Sequence, residues 1–216
     1  HNTSGIISLK DSGITSPKGM EGHSYATWDM PIEQAIIKKV VTDDGGDYSK
    51  INLISTSVED IKAALSSNID SVWIYYAWDG IACELQGLDT NFFYFKDYSP
   101  ELDDYSPVII ANNDFLKNNS EVAKKFMAAL SKGYDYAIEN PDDAAQILVD
   151  ANEGLDIELC KKSQNWLASQ YKADADKWGV IDQKRWDAFY GWVYDNGLCE
   201  IDIPDGFGFS NDYLPE

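Results

Sequence analysis

Positive charge is scarce in this 216-residue chain, in which 17 lysine and arginine residues face 37 aspartate and glutamate residues. The formal net charge of −20 repels phosphate backbones and anionic lipid headgroups. We therefore expect no nucleic-acid partner and no anionic membrane surface as a partner. Long apolar runs are also missing, since no stretch approaches the ~20 apolar residues that a membrane-spanning helix needs.

Residues that commonly carry catalysis or bind metals are few as well. The three cysteines are too few and too scattered for a disulfide framework or a CxxC zinc site. His1 and His23 are the only histidines, which leaves little for a Ser-His-Asp or Cys-His arrangement. Glycine-rich phosphate loops, HExxH and GxSxG are absent. We expect no catalytic residue, no metal and no cofactor.

What the chain does have is a pattern of alternating strands and helices over its first two-fifths. Residues 72–76 are apolar at consecutive positions, which is typical of a strand covered on both faces in a parallel sheet. Strand–helix alternation with short connections predicts right-handed crossovers and a doubly wound α/β sheet. An earlier apolar run covers residues 5–9. The candidate strands after it are residues 23–27, 51–54, 72–76 and 91–95.

The remainder reads as helical after one apolar run at residues 108–111. Apolar stripes recur at helical spacing over 122–137 and over 186–193, and Gly197 stands where a helix C-terminus favours glycine. Two interpretations are open for these helices. They pack on one another as a bundle, or they belong to a second α/β lobe whose strands lie elsewhere.

Two turns of similar sequence follow predicted strands, and each places a tryptophan beside an aspartate. They are Trp28-Asp29 and Trp78-Asp79. In open α/β sheets, ligands bind outside the carboxyl ends of the strands. An indole offers a stacking surface, and a carboxylate accepts hydrogen bonds from an amino-heterocycle. In the alternative interpretation both aspartates are helix N-caps and both tryptophans only pack.

Several blocks of the sequence resemble the NMT1/THI5-like family of bacterial solute-binding proteins. The likeness extends over nearly the whole chain and is most specific at the block from Tyr76 to Ile81. The matching blocks are His1-Asn2-Thr3-Ser4-Gly5-Ile6-Ile7-Ser8-Leu9, Ser16-Pro17-Lys18-Gly19-Met20-Glu21-Gly22, Trp28-Asp29-Met30-Pro31-Ile32-Glu33, Tyr76-Ala77-Trp78-Asp79-Gly80-Ile81, and Trp178-Gly179 with Trp186, Trp192 and Gly197-Leu198.

The resemblance implies a type II periplasmic-binding-protein fold, with two α/β lobes joined by crossing hinge strands. Residues 1–13 are then a hinge strand and loop, 14–104 a complete α/β lobe, and 105–216 the hinge return and the helical part of the other lobe. The family's Trp-x-Pro-Asn segment, which forms the other wall of the cleft, does not occur here. We therefore expect an N-terminally truncated chain in which the apolar stripes at 122–137 and 186–193 are exposed, and which self-associates through these uncovered helices.

Within the family, the likeness is to binding proteins for pyrimidine precursors of thiamine, which feed an ABC importer. It implies a non-enzymatic, extracytoplasmic receptor, periplasmic or lipid-anchored, with a permease as its partner. Its expected ligand contacts are Trp28, Asp29, Tyr76, Trp78, Asp79 and Asn2. Two alternatives are a pyrimidine synthase of the THI5 type, whose cysteine-rich run does not occur here, and a receptor for another solute such as an alkanesulfonate, nitrate or riboflavin.

Overall fold

A computed structural model describes residues 1–216, which contain one five-stranded sheet and eight α-helices. The strands are β1 (Ser4–Leu9), β2 (Ser24–Thr27), β3 (Asn52–Ser55), β4 (Ser71–Tyr75) and β5 (Thr90–Tyr94). The helices are α1 (Pro31–Asp43), α2 (Ile61–Leu65), α3 (Ile81–Leu85), α4 (Asn113–Asn118), α5 (Ser120–Glu139), α6 (Pro141–Ala151), α7 (Ile157–Ala168) and α8 (Gln183–Asp195). None of the helices is both long enough and apolar enough to cross a bilayer.

The chain forms two compact units. The sheet unit comprises Asn2–Asp104 and Ala188–Ile203, and the helical unit comprises His1, Tyr105–Asp187 and Pro204–Glu216. In residues 1–13, β1 pairs with both β4 and β5 inside the sheet, and the assignment of this segment as a hinge strand and loop stays a prediction. The second half of α8 also falls in the sheet unit, whereas the sequence places it with the preceding helices.

The strand order of the sheet is β3-β2-β4-β1-β5. β2 runs parallel to both β3 and β4, as the alternating pattern predicts. β1 is antiparallel to β4 and to β5, with Gly5 opposite Ile74 on one side and Tyr94 on the other. The carboxyl ends of β2, β3, β4 and β5 therefore share one edge, where β1 begins.

Both faces of the sheet are covered, which explains the unbroken apolar run in β4. Val72 and Ile74 face a cluster that includes Leu65 of α2 and Cys83 of α3. Trp73 packs from the other face against a cluster that includes the buried side of α1. A helix before β3 on one face and helices on the opposite face give the doubly wound arrangement that the sequence predicts.

The aromatic stripe of α8 is largely buried in the sheet unit. Trp192 and Val193 lie in the core beside α1, and Phe189 packs against them. The helix ends as predicted, since Gly197 adopts a left-handed φ of 68° and the N–H of Leu198 donates to the carbonyl of Val193. The expectation that this stripe is exposed is therefore wrong.

Residues 108–111, which the family resemblance implies to be the returning hinge strand, form no strand. Val108, Ile109 and Ile110 are exposed, and no neighbouring strand pairs with their backbone. A β-branched run fits a strand by composition, but a strand needs a partner ladder for its N–H and C=O groups.

The apolar stripe of α5 in the helical unit is exposed to solvent over the first turns of the helix. Val122 is 55% exposed and Phe126 is 56% exposed, whereas the buried positions of this helix are Ala123 and Ser131. Exposure of the 122–137 stripe at these two residues agrees with the expectation from the sequence. Large apolar side chains are also exposed on α6, at Ile147 and Leu148.

Candidate functional site

The predicted ligand residues all lie at the edge of the sheet where β2 and β4 end. Trp28 and Asp29 follow β2 directly, and Tyr76 begins the segment after β4 that also carries Trp78 and Asp79. Asn2 precedes β1, whose first residue, Ser4, is paired with Tyr75 at the end of β4. The topology thus brings all six residues to one edge of the sheet unit, which we call the carboxyl edge.

The turn after β2 has an unusual backbone at Asp29. Its φ is 59°, in the left-handed region that non-glycine residues visit at a cost of about 1–2 kcal/mol. The N–H of Asp29 donates to Thr27 Oγ1 at 3.0 Å, and its carboxylate accepts a hydrogen bond from the Ser55 hydroxyl at the end of β3. Asp29 is therefore not the N-cap of α1, the role that the alternative interpretation gives it, because Met30 occupies that position. The Asp29 carboxylate instead links the ends of β2 and β3.

A buried glutamate, Glu33 in α1, stabilises the turn after β2 through hydrogen bonds. Its side chain is 1% exposed, and it accepts hydrogen bonds from the hydroxyls of Tyr25 (2.6 Å) and Thr27 (3.0 Å). It also accepts from the backbone N–H of Trp28, at 3.2 Å and 3.0 Å to its two oxygens, and of Met30 at 3.4 Å. Burial, together with the bond to Glu33, raises the pKa of the Tyr25 hydroxyl, which remains a donor.

The indole of Trp28 is supported on one side and open on the other. Its ring lies 5.4 Å from the ring of Trp73, tilted by 43°, and Trp73 in turn packs edge-on against Phe95 at 4.4 Å. Trp28 is nevertheless 45% exposed. A braced indole with an open surface can stack against a planar ligand.

The second turn is a π-helix over Tyr76–Gly80, followed directly by α3. Asp79 lies inside this π-helix and is not an N-cap, because Gly80 precedes α3. Trp78 is 41% exposed, and Asp79 is partly buried. Burial raises the pKa of the Asp79 carboxyl, although backbone hydrogen bonds act in the opposite direction. Single π-turns of this kind are frequent at functional sites.

Tyr76 is held inside the second turn. Its ring packs near Phe92 at 5.0 Å, and its hydroxyl donates to the carboxylate of Glu84. A Cβ added to Gly80 would lie 2.6 Å from the Tyr76 ring, so glycine at this position lets the ring lie against the helix backbone. Burial is the main reason that the pKa of the Tyr76 hydroxyl is raised.

Asn2 is 5% exposed and bridges two parts of the sheet unit. Its Oδ1 accepts from the N–H and hydroxyl of Ser4, and its Nδ2 donates to Asp104. Its backbone N–H donates to Asp103 at 2.7 Å. These bonds fix the start of β1 at the carboxyl edge, and the predicted contact of Asn2 with a ligand stays a prediction.

Sequence reasoning missed two residues at this edge. Glu33 carries a weak signal, an acid in the first turn of a helix, but Met30 at the N-cap conceals the usual capping pattern. Tyr75 is exposed at the last position of β4, where the alternation of side chains puts it on the same face as Trp73.

Other features lie outside the predicted ligand residues. A shallow groove of about 380 Å³ is lined by Pro31, Ile32, Phe189, Tyr190, Val193 and Leu198. Cys83 and Cys160 are buried and Cys199 is partly buried. Burial raises the pKa of the Cys83 thiol to about 11, which keeps it protonated and unreactive.

The sequence pattern of the family described as NMT1/THI5 like matches residues 1–144. The chain belongs to this family. A formylaminopyrimidine-binding protein of Halalkalibacterium halodurans is 27% identical to the chain over 194 residues, which are 87% of this chain and 58% of that relative. The chain therefore spans less than two thirds of the relative's length.

Solved structures show the same fold at low sequence identity. The periplasmic aliphatic sulphonate binding protein SsuA of Escherichia coli gives a TM-score of 0.66 at 14% identity, covering 99% of this chain and 72% of its own. The desulfurization enzyme DSZB gives 0.55 at 11% identity, covering 99% and 73%. At these identities the likeness shows the fold alone. The type II periplasmic-binding-protein class predicted for the NMT1/THI5-like chain is confirmed.

Proposed function

We propose that this NMT1/THI5-like protein is the solute-binding component of an ABC importer, and that it captures a small planar aminopyrimidine at its carboxyl edge. The observation that carries the proposal is the pair of turns at the ends of adjacent parallel strands. Each turn presents a tryptophan with an open surface next to a carboxylate, Trp28 with Asp29 and Trp78 with Asp79.

The chemistry of these side chains suits an amino-substituted aromatic ring. Trp28 and Trp78 offer apolar surfaces for stacking, worth about 1–3 kcal/mol per stacked base in nucleic-acid complexes. The carboxylates of Asp29 and Asp79 accept hydrogen bonds from exocyclic amino groups and attract a cationic aminomethyl substituent. Either carboxylate repels a sulfonate or nitrate, so the charge of the edge favours the aminopyrimidine over these anions.

The family relatives support this class of ligand and partner. The relative from Halalkalibacterium halodurans is named for binding a formylaminopyrimidine, and the Escherichia coli neighbour is described as periplasmic. By extension, we assign this chain an extracytoplasmic location and a permease that accepts its ligand. The whole protein acts as a receptor in this proposal and performs no chemistry on the pyrimidine.

The receptor role is supported by the chemistry available at the carboxyl edge. Its aspartates are placed to accept hydrogen bonds, and its tyrosines have raised pKa values that keep them protonated. His23 lies at the other end of β2, 3.5 Å from Asp70.

Calorimetric titration tests the proposal. The chain is titrated with 4-amino-5-aminomethyl-2-methylpyrimidine and its N-formyl derivative, and in parallel with an alkanesulfonate and nitrate. We expect saturable binding of one or both pyrimidines and none of the anions. Binding of a sulfonate or nitrate without the pyrimidines would refute the aminopyrimidine assignment and retain a receptor role. Turnover of a bound pyridoxal phosphate to a pyrimidine would refute the non-enzymatic role.

A further inference from the structure

The buried Glu33 carboxylate has no direct place in the proposed ligand contacts, yet it accepts hydrogen bonds from Thr27, Trp28 and Met30 around the turn that carries two of them. Its partners are neutral hydroxyls and backbone N–H groups. A buried carboxylate is costly unless it is hydrogen-bonded, and here all the groups that donate to it belong to β2 and to the turn that follows it. We infer that Glu33 is a positioning residue that holds Trp28 and Asp29 in the geometry that receives the ligand, an inference that rests on the proposed function.

The hold on Trp28 is direct. Its backbone N–H points at both oxygens of Glu33, at 3.2 Å and 3.0 Å. This places the Trp28 backbone over the first turn of α1 and brings the indole against Trp73. With that bond lost, the short segment between β2 and α1 loses a charge-assisted anchor, and the indole loses its fixed angle to Trp73.

The hold on Asp29 runs through Thr27. The Thr27 hydroxyl donates to Glu33 Oε2 at 3.0 Å and accepts from the Asp29 N–H at 3.0 Å. Because the Thr27 hydroxyl proton points at the Glu33 carboxylate, a lone pair of the Thr27 oxygen faces the N–H of Asp29, whose φ is 59°. An aspartate keeps a left-handed backbone conformation only where the surrounding contacts hold it there. The hydrogen bonds from Asp29 to Thr27 and from Thr27 to Glu33 are such contacts.

The chain offers a matched control at the opposite end of the same strand. Asp70 accepts hydrogen bonds from the N–H and hydroxyl of Ser24, at 2.7 Å and 2.8 Å, where β2 begins. Asp70→Asn therefore weakens a carboxylate clamp on β2 without touching the turn after Thr27. A purely structural role for Glu33 predicts that Glu33→Gln and Asp70→Asn behave alike.

The test uses a spectroscopic signature of the turn together with affinity. Trp28 and Trp73 are close enough for their indoles to couple, and the coupled pair produces an exciton feature in far-ultraviolet circular dichroism. Trp28→Phe in the full chain defines that feature by difference. We expect Glu33→Gln to lose it and to bind the aminopyrimidine about 10- to 100-fold more weakly, whereas Asp70→Asn keeps the feature and native affinity within about twofold.

A second pair of variants covers the case in which Glu33→Gln does not fold. Thr27→Val removes the hydroxyl relay, and Thr27→Ser restores it with little change in volume. We expect the exciton feature and the affinity to fall in the valine variant and to return in the serine variant. An unchanged exciton feature in folded Glu33→Gln or Thr27→Val would overturn the inference. Because that feature is measured without ligand, failure of the native chain to bind any pyrimidine refutes the proposed function separately.

Discussion

Truncation of Trp28 to alanine is the perturbation that most directly probes the stacking surface. A tryptophan side chain has about 250 Å² of surface. With 45% of it exposed, about 110 Å² is open to a ligand. A stacked pyrimidine that covers about 60–110 Å² of this gains about 1.5–2.8 kcal/mol at ~25 cal/mol per Å². We therefore expect Trp28→Ala to weaken aminopyrimidine binding by about 10- to 100-fold.

The assay is isothermal titration of native chain, Trp28→Ala and Trp28→Phe, each with its thermal stability measured in parallel. The phenylalanine variant keeps an aromatic surface of smaller area, so its affinity is expected between the other two. The lost contact with Trp73 lowers stability as well, by about 0.5–1.5 kcal/mol for an aromatic pair. Titration well below the melting temperature of each variant separates that effect from the loss of stacking.

Phe126→Ala is the control, since Phe126 is at least as exposed as Trp28 but lies on α5 in the helical unit. We expect native affinity from this variant. If Trp28→Ala binds within about twofold of the native chain, or if Phe126→Ala weakens binding equally, the reasoning from exposed area and position is refuted.

Three further predictions concern the second turn and the helical unit. Gly80→Ala puts a Cβ 2.6 Å from the Tyr76 ring, so calorimetry is expected to show a loss of about 1–3 kcal/mol in stability and weaker pyrimidine binding; an unchanged melting temperature would contradict it. Burial raises the pKa of Asp79 above its ordinary 3.8, so its contribution to stability is complete below that pH and is lost as the pH rises through the raised value. Asp79→Asn is therefore expected to raise the melting temperature at neutral pH, with the gain shrinking on acidification, while ligand affinity falls; a constant gain at all pH values would refute the burial argument. Because Val122 and Phe126 are exposed, the native chain is expected to self-associate or bind a hydrophobic dye, and Phe126→Ser to reduce either signal; a monodisperse native chain that binds no dye would contradict this.

The sequence was informative where a residue's neighbours in space are also its neighbours in the chain. The apolar run before Tyr76 predicted a strand covered on both faces, and the spacing of Phe189 and Val193 predicted a helix with an apolar stripe, although not that the stripe is buried. The position of Trp28 and Trp78 after strands was likewise readable, because carboxyl ends of parallel strands share an edge.

Long-range pairing explains what could not be predicted. Nothing in residues 5–9 shows that β1 runs antiparallel between β4 and β5, since pairing depends on strands far along the chain. Residues 108–111 have the composition of a strand but no partner to pair with. Glu33 looks like an ordinary first-turn acid until the fold places Tyr25 and Thr27 within hydrogen-bond distance of it.

The most direct measurement of the central claim follows the indole N–H signals of all seven tryptophans by NMR while an aminopyrimidine is added. If the carboxyl edge is the binding site, the signals of Trp28 and Trp78 shift in a saturable way, with Trp73 affected through its contact with Trp28. The signals of Trp166 and Trp186 in the helical unit stay in place. Shifts confined to Trp166 and Trp186, or saturable binding that leaves Trp28 and Trp78 unmoved, would contradict the account.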